Sequence, residues 1–244
     1  MRTAIIIPSR LSATRLPGKP LLKINNLSII SHVFKKAKEA NIGEVLVAAD
    51  DQKIVDDVVK NGGNAILTDK NHNTGTDRIY EAFKKLNQKD IDLVMNLQGD
   101  EPDINIKDII LLNQKMIDNE TEIGTLASKI DDEKIFKNPN VVKVITKKKL
   151  DFGNFYEAKN FVRKSLDTID NIYHHIGIYC YSVQALEKFV MLEQTKNEVM
   201  YKLEQLRALD NSINIKVALV GSSPIGVDTE EDYLAIKKIM EYKQ

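Results

Sequence analysis

Blocks of apolar residues alternate with helical patterns through the first hundred positions of the chain. Residues 4–8, 45–49, 64–67 and 91–97 carry the unbroken apolar character of strands buried on both faces. Between them the period lengthens to that of a helix. Ile29, Ile30, Val33, Phe34 and Ala37 share one face over 29–40. Ile54, Val55, Val58 and Val59 mark a second helix, which Gly62-Gly63 ends, and a third is predicted over 77–86. This strand–helix order predicts an α/β fold with a mostly parallel central sheet and right-handed crossovers. The second half is less regular. Strands are expected at 141–146, 173–181 and 213–220, and helices at 197–209 and 229–242. Thr229 is the expected N-cap of the last helix, with Glu230, Glu231 and Asp232 in its first turn.

In such sheets ligands bind beyond the carboxyl ends of the strands, so the loops after Pro8, Ala49, Leu67 and Leu97 matter most. The first, from Arg10 to Pro20, follows a buried strand with Arg10, Arg15 and Lys19. Its cations, the Ser12 and Thr14 hydroxyls and backbone near Gly18 suit a polyphosphate. It has neither the Walker A nor the G-x-G-x-x-G spacing. After the strand at 91–97 comes Gln98-Gly-Asp100-Glu101-Pro102, where Asp100 is well placed to hold Mg²⁺ beside phosphates. Asp228, just before the last helix, is a second candidate carboxylate for Mg²⁺. His72-Asn-Thr-Gly75-Thr76-Asp-Arg78 combines close backbone approach with an arginine fork suited to a carboxylate, and Thr76 reads as a helix N-cap. In 174–181, alternation places His175, Gly177, Tyr179 and Tyr181 on one face, so His174 and His175 should not chelate one metal together. Over 203–209 a helix is expected with Leu203, Leu206 and Leu209 inward and Glu204 and Gln205 solvated.

The 244 residues, 43% of them hydrophobic, suit one large α/β domain spanning 1–244. Lys+Arg and Asp+Glu are balanced at 35 each, which speaks against a broad nucleic-acid or membrane footprint but allows a local basic pocket. The single cysteine, Cys180, fits a reducing compartment. The apolar run at 4–7 is too short for a signal-peptide core or a membrane span. A soluble, cytoplasmic protein is expected.

Taken in order, these motifs resemble the 3-deoxy-manno-octulosonate (Kdo) cytidylyltransferase family. The matching residues are Arg10-x-x-x-Thr-Arg15-Leu-Pro-Gly-Lys19-Pro20, His72–Arg78, Gln98–Pro102, Asn138-Pro-Asn-Val-Val-Lys143, His175-x-Gly-Ile-Tyr179, Leu203-Glu-Gln-Leu-Arg207 and Val227-Asp228-Thr229. The resemblance implies a Rossmann-like nucleotide-diphospho-sugar transferase fold with a dimerising, substrate-contacting insertion at roughly 135–185. It implies CMP transfer from CTP to Kdo, with pyrophosphate released, for lipopolysaccharide synthesis, and a homodimer. It also implies that Arg10, Arg15 and Lys19 bind the CTP phosphates and that Gly75, Thr76 and Gln98 define the nucleotide site. Asp100 and Asp228 would bind Mg²⁺, with Lys19 also catalytic. Arg78, Gln98, His175, Tyr179, Glu204 and Gln205 would line the sugar-acid pocket.

The chain departs from the family pattern in two places. Ser12-Ala13 stands where Ala-Ser is usual. After Gly153 the usual Tyr-Phe-Ser-Arg-x-x-Ile-Pro becomes Tyr156-Glu-Ala158-Lys159-Asn-Phe-Val-Arg163, and lysine cannot reproduce an arginine fork. Two other readings follow: a cytidylyltransferase of the same fold for another acidic sugar, of sialic acid or 8-amino-Kdo type, and an inactive CTP-binding module. Retention of Lys19, Asp100 and Asp228 speaks against the second.

Overall fold

The computed structural model describes residues 1–12, 15–88, 90–164 and 170–242. Ala13 and Thr14 of the basic loop lie outside the described residues. The chain divides into two compact units, Met1–Ile110 with Pro224–Gln244, and Leu111–Ser223. The expected excursion at 135–185 lies wholly inside the second.

In the first unit the elements run β1 (Thr3–Ser9), β2 (Lys23–Ile24), β3 (Leu27–Ser28), α1 (Ile29–Glu39), β4 (Gly43–Ala49), α2 (Gln52–Lys60), β5 (Ala65–Leu67), α3 (Gly75–Leu86) and β6 (Leu93–Asn96). The strands β5, β4, β1 and β6 lie side by side in that order, all parallel. From β1 the chain builds outward through β4 to β5, then returns to place β6 on the other flank of β1. The strand order therefore reverses between β1 and β6, and the loops leaving their carboxyl ends face a topological switch point. Ile5, Ile6 and Ile7 are fully buried, as are Val47 to Ala49, which is why these strands read as unbroken apolar runs. All five residues of the α1 stripe are buried, whereas in α2 only Ile54 and Val58 are, and Val59 is exposed.

α4 (Ile106–Asn119) carries the chain into the second unit. There follow β7 (Ile123–Ser128), α5 (Glu133–Lys137), β8 (Lys143–Thr146), β9 (Tyr156–Val162), β10 (Ile172–Ser182), α6 (Val183–Met191), α7 (Lys196–Tyr201), α8 (Leu206–Asp210) and β11 (Ile215–Val220). Here the parallel expectation fails. β7 and β11 are parallel, but β10 with β7, β11 with β9, β9 with β8 and β8 with β10 are antiparallel. Because β8 pairs with both β9 and β10, the pairing closes on itself. The helix expected over 197–209 is two helices, broken at Lys202, whose backbone is left-handed (φ 53°). The last helix, α9 (Glu230–Tyr242), belongs to the first unit. No helix among the described residues is long and apolar enough to cross a membrane.

Candidate functional site

Three segments of the first unit bring charge together. The basic loop leaves β1 and is tied down by carboxylate and backbone contacts. Leu11 N–H donates to Asp50 Oδ1 (2.8 Å), and Gly18 N–H donates to Leu11 O (3.2 Å). Gly18 is left-handed (φ 70°), a conformation that costs a side-chain-bearing residue about 1 kcal/mol or more, and it opens the short 3₁₀ turn Lys19–Leu21. The second segment follows β6. A Cβ on Gly99 would lie 2.9 Å from Pro8 O and 3.1 Å from Ile30 Cδ1, so only glycine lets the Gln98–Asp100 backbone pack this closely on the end of β1. The third precedes α9. Asp232 Oδ2 accepts from Asp228 N–H (3.1 Å) and Thr229 N–H (2.9 Å), while Asp232 N–H donates to Thr229 Oγ1 (3.2 Å). Thr229 thus caps α9 as expected, and the reciprocal bonds fix the backbone that carries Asp228.

These segments meet. Lys19 Nζ donates to Asp100 Oδ2 (2.7 Å) and lies 3.4 Å from Asp228 Oδ1, and Arg15 Nη2 is 3.1 Å from Asp228 Oδ2. Val227 N–H donates to Asp100 O (2.9 Å), joining the two carboxylate-bearing backbones directly. Ile24, Ile29, Val227 and Ile236 form a buried cluster on which Leu16 of the basic loop and Leu22 just after it also pack. Each fully buried aliphatic side chain of this kind contributes about 1.5–3 kcal/mol. Two carboxylates, from residues 128 positions apart, therefore converge on one cationic centre. Both are partly exposed, Asp100 at 30% and Asp228 at 50%. That donor set fits Mg²⁺, which takes one or two carboxylates and keeps several waters. No group of three or more His, Cys, Asp or Glu among the described residues could hold a metal.

The other expected nucleotide residues surround this cluster differently. Arg10 is exposed at the end of β1, and Gln98 is half-buried just after β6. Gly75 opens α3, but the cap is Thr74, not Thr76: Thr74 Oγ1 accepts from Asp77 N–H (3.2 Å), and Thr76 is buried in the first turn. Arg78 is engaged mainly by the protein itself. The residue is 1% exposed and its Nη1 donates to Thr68 Oγ1 (2.6 Å) and Asp69 O (2.9 Å), bracing the loop between β5 and α3. Nη2, buried with no hydrogen-bond partner among the described residues, remains to meet a carboxylate. Burial lowers the Arg78 pKa, and nearby Asp50 opposes that fall.

Two further residues stand out: Asp50, which has no role in the sequence reading, and Glu101, the less favoured of the two strand-end carboxylates there. Asp50, a carboxylate at the end of buried β4, organises the basic loop; the strand-end argument that singles out Asp100 applies to it equally. Glu101 has a buried Oε2 without a partner among the described residues, and burial, then the Asp100 charge, push its carboxyl up to about 8. Its acidic neighbour is the only sign of this in the sequence.

The second unit holds the remaining candidates. His175 and Tyr179 lie on β10, buried, with ring centroids 5.3 Å apart, and Tyr181 stacks 6.0 Å beyond Tyr179. Between Ile176 and Tyr179 the strand carries two extra residues against β7. An even insertion preserves parity, so His175, Tyr179 and Tyr181 keep the shared face that alternation predicts. Thr125 on β7 collects the carbonyls the bulge releases: its Oγ1 lies 2.7 Å from Ile178 O and 3.0 Å from His175 Nε2. The hydroxyl has one hydrogen. Given to Ile178 O, it leaves His175 Nε2 as donor and Nδ1 as acceptor. Burial, with the nearby His174 charge, lowers the His175 pKa to about 3, so the ring is neutral at pH 7. His174 turns away, its Nδ1 2.9 Å from Ser223 Oγ, and the two histidines do not converge on one ion. Glu204 and Gln205 sit in the turn between α7 and α8, half-buried rather than solvated, while Leu203 and Leu206 are buried as expected and Leu209 is partly exposed. Burial first, then Tyr181 and the Glu204 carboxylate, push the Tyr179 phenol above its usual range.

The chain has clear relatives among known proteins. Residues 4–215 match the family model described as cytidylyltransferase. A 3-deoxy-manno-octulosonate cytidylyltransferase from Rhodopseudomonas palustris (strain BisB5) is 42% identical over 242 residues, covering 98% of each chain. One from Thermodesulfovibrio yellowstonii is 42% identical over 252 residues, again 98% of each. Among solved structures, a CMP:2-keto-3-deoxy-manno-octonic acid synthetase complexed with CTP superposes with a TM-score of 0.90 at 33% identity over 100% of both chains. The chain belongs to the cytidylyltransferase family and, within it, to the 3-deoxy-manno-octulosonate cytidylyltransferases.

Proposed function

We propose that this protein transfers CMP from CTP to Kdo and releases pyrophosphate, supplying activated sugar for lipopolysaccharide synthesis in the cytoplasm. The observation that carries the reading is the convergence of Lys19, Arg15, Asp100 and Asp228 at the carboxyl ends of β1 and β6. The sugar's anomeric 2-hydroxyl attacks the α-phosphorus, a new P–O bond forms, and the bond to the bridging oxygen of the β-phosphate breaks in line. Such chemistry needs little from the protein beyond positioning and charge neutralisation. Lys19 and Arg15 would release their carboxylates to take phosphate oxygens. Asp100 and Asp228 would hold Mg²⁺, which when bound supplies positive charge at the reacting phosphate and lowers the pKa of the attacking hydroxyl. Arg10 would add charge at the phosphates, with Gly75, Thr76 and Gln98 bounding the nucleotide. His175, Tyr179, Glu204 and Gln205 would bind the sugar acid by hydrogen bonds, and Arg78 Nη2 would meet a carboxylate.

A homodimer is part of the same reading. Met191, Val199, Met200 and Tyr201 are all more than half exposed along one stretch of the second unit, an unusual run of apolar surface.

Pyrophosphate release with Mg²⁺ and each of CTP, UTP, ATP and GTP, with and without Kdo, tests the reaction. Release that requires both CTP and Kdo is expected. CTP binding without turnover on Kdo, but with turnover on another 3-deoxy-2-keto acid, would move the substrate assignment.

A further inference from the structure

The turn that carries Glu204 and Gln205 is held from two sides by groups that face neither substrate on the reading above. Inside, Glu198 of α7 and Arg207 of α8 form a buried bidentate pair, each side chain 3% exposed: Nε to Oε2 is 2.8 Å and Nη2 to Oε1 is 2.6 Å. Glu198 also closes a capping box with Thr195 and accepts from Gln194 Nε2 (3.1 Å), while the guanidinium lies 4.6 Å over the Phe189 ring. Outside, Arg163 at the end of β9 donates from Nε to Tyr201 O (3.1 Å) and from Nη2 to Lys202 O (3.0 Å). These are carbonyls at the C-terminal end of α7, where an intrahelical partner is lacking.

An apolar contact could join two short helices as firmly, and burying two full charges is costly. What a planar fork adds is a fixed angle and register. The residues between the two holds are those that reverse the chain at Lys202 and carry Glu204, whose carboxylate acts electrostatically on the Tyr179 phenol. We propose that Arg163 and the Glu198–Arg207 pair are positioning residues for the sugar acid: they hold Glu204 and Gln205 against the His175–Tyr179 face and act only through them. The proposal rests on the assignment of Glu204 and Gln205 to the sugar-acid site.

The test is steady-state pyrophosphate release, with CTP and Kdo varied separately, for Arg163→Met, Arg207→Lys, Glu204→Ala and the double variant Arg163→Met/Glu204→Ala. Arg163→Met and Arg207→Lys are expected to raise KM for Kdo on the order of tenfold, as misplacement of a binding group does. KM for CTP should stay within about twofold, because nothing in the first unit is touched. In the Glu204→Ala background, Arg163→Met should add little, since both changes then act through one missing group. If Glu204→Ala leaves KM for Kdo unchanged, the site assignment fails and the positioning role with it. If Glu204→Ala raises it but Arg163→Met does not, or if the two effects are independent, the site stands and the positioning role is overturned. Arg207→Lys disturbs a buried charge and can cost folding. Arg163 is partly exposed, so for its part of the role the Arg163→Met and Arg163→Met/Glu204→Ala variants decide without that complication.

Discussion

The two units handle charge in opposite ways. In the first, Arg15, Lys19, Asp100 and Asp228 sit on loops and a short turn and neutralise one another partly in solvent, from Lys19 at 14% exposure to Arg15 at 59%. In the second, they sit on a strand and a tight interhelical turn: His175 and Tyr179 are buried, and the pair behind Glu204 is almost wholly so. A triphosphate with a divalent cation brings its own strong electrostatics, and partly exposed, exchangeable charges are enough to receive it. A sugar acid offers mostly hydroxyls. Discrimination among hydroxyls comes from buried polar groups that are left unsatisfied by the wrong ligand. On the proposed reading, exposure therefore tracks the kind of ligand. First-unit variants should lose rate while keeping stability, and second-unit variants should lose both.

The largest effect is expected where that contrast is sharpest. Glu198→Ala leaves Arg207 buried without its counter-charge and should cost about 3–5 kcal/mol in unfolding free energy. Replacing both partners, Glu198→Leu with Arg207→Met, should recover most of that stability. It should not recover KM for Kdo, because apolar packing restores the contact but not the angle. Urea denaturation and kinetics on the same two proteins separate the effects. A double variant with wild-type KM for Kdo would show that the ion pair serves the fold alone.

Asp100→Asn comes next and probes the other unit. It should slow turnover roughly 10²-fold, the scale of a lost electrostatic stabiliser. Stability should change by no more than about 0.5 kcal/mol, as for a partly exposed surface substitution. Chelation of divalent ions should likewise abolish turnover without unfolding the protein. Near-normal kcat for Asp100→Asn at saturating Mg²⁺ would sink the metal assignment.

The same contrast explains what could be read in advance. First-unit strands are buried on both faces, so Ile5–Ile7 and Val47–Ala49 appear as apolar runs, and the loops after them hold the charged residues. In the second unit β7 is Ile-Gly-Thr-Leu-Ala-Ser and β9 is Tyr-Glu-Ala-Lys-Asn-Phe-Val; neither shows a clean run or alternation, and both escape a periodicity reading. The break between α7 and α8 is hidden for another reason. Leu203, Leu206 and Leu209 keep a helical spacing from the turn into α8, and the left-handed residue is a lysine, which gives no turn signal. α4 is different: Ile109, Leu112 and Met116 are buried at helical spacing, a legible stripe that attention to motifs passes over. At the site, residue types and chain positions were legible and local geometry was not. A threonine two places earlier takes the cap, and Arg78 points inward because Thr68 and Asp69 supply acceptors that no local pattern announces. The departure at 156–163 also gains meaning. Lys159 is exposed on β9, while Arg163 reaches the end of α7.

One part of the first unit runs against the contrast and offers the finest test of it. Glu81 on α3 gathers the loop before Gly75: its carboxylate accepts from Asp69 N–H (2.9 Å), from Lys85 Nζ (2.6 Å) and from His72 Nε2. Burial alone would raise its pKa, but the bonds from Lys85, His72 and Asp69 outweigh it and hold the carboxyl near 2, against 4.5 in an unperturbed chain. Between those values the unfolded state binds more protons than the folded one, so stability rises with pH there. The contribution is complete above about pH 4.5 and is lost as pH falls through about 2. With the side chain 23% exposed, solvent screening reduces it to about 1–2 kcal/mol. Glu81→Gln should therefore be less stable than wild type by that amount at pH 6, with the gap narrowing by pH 3 in urea titrations. A gap of constant size across that range would mean that the loop is held by packing rather than by charge.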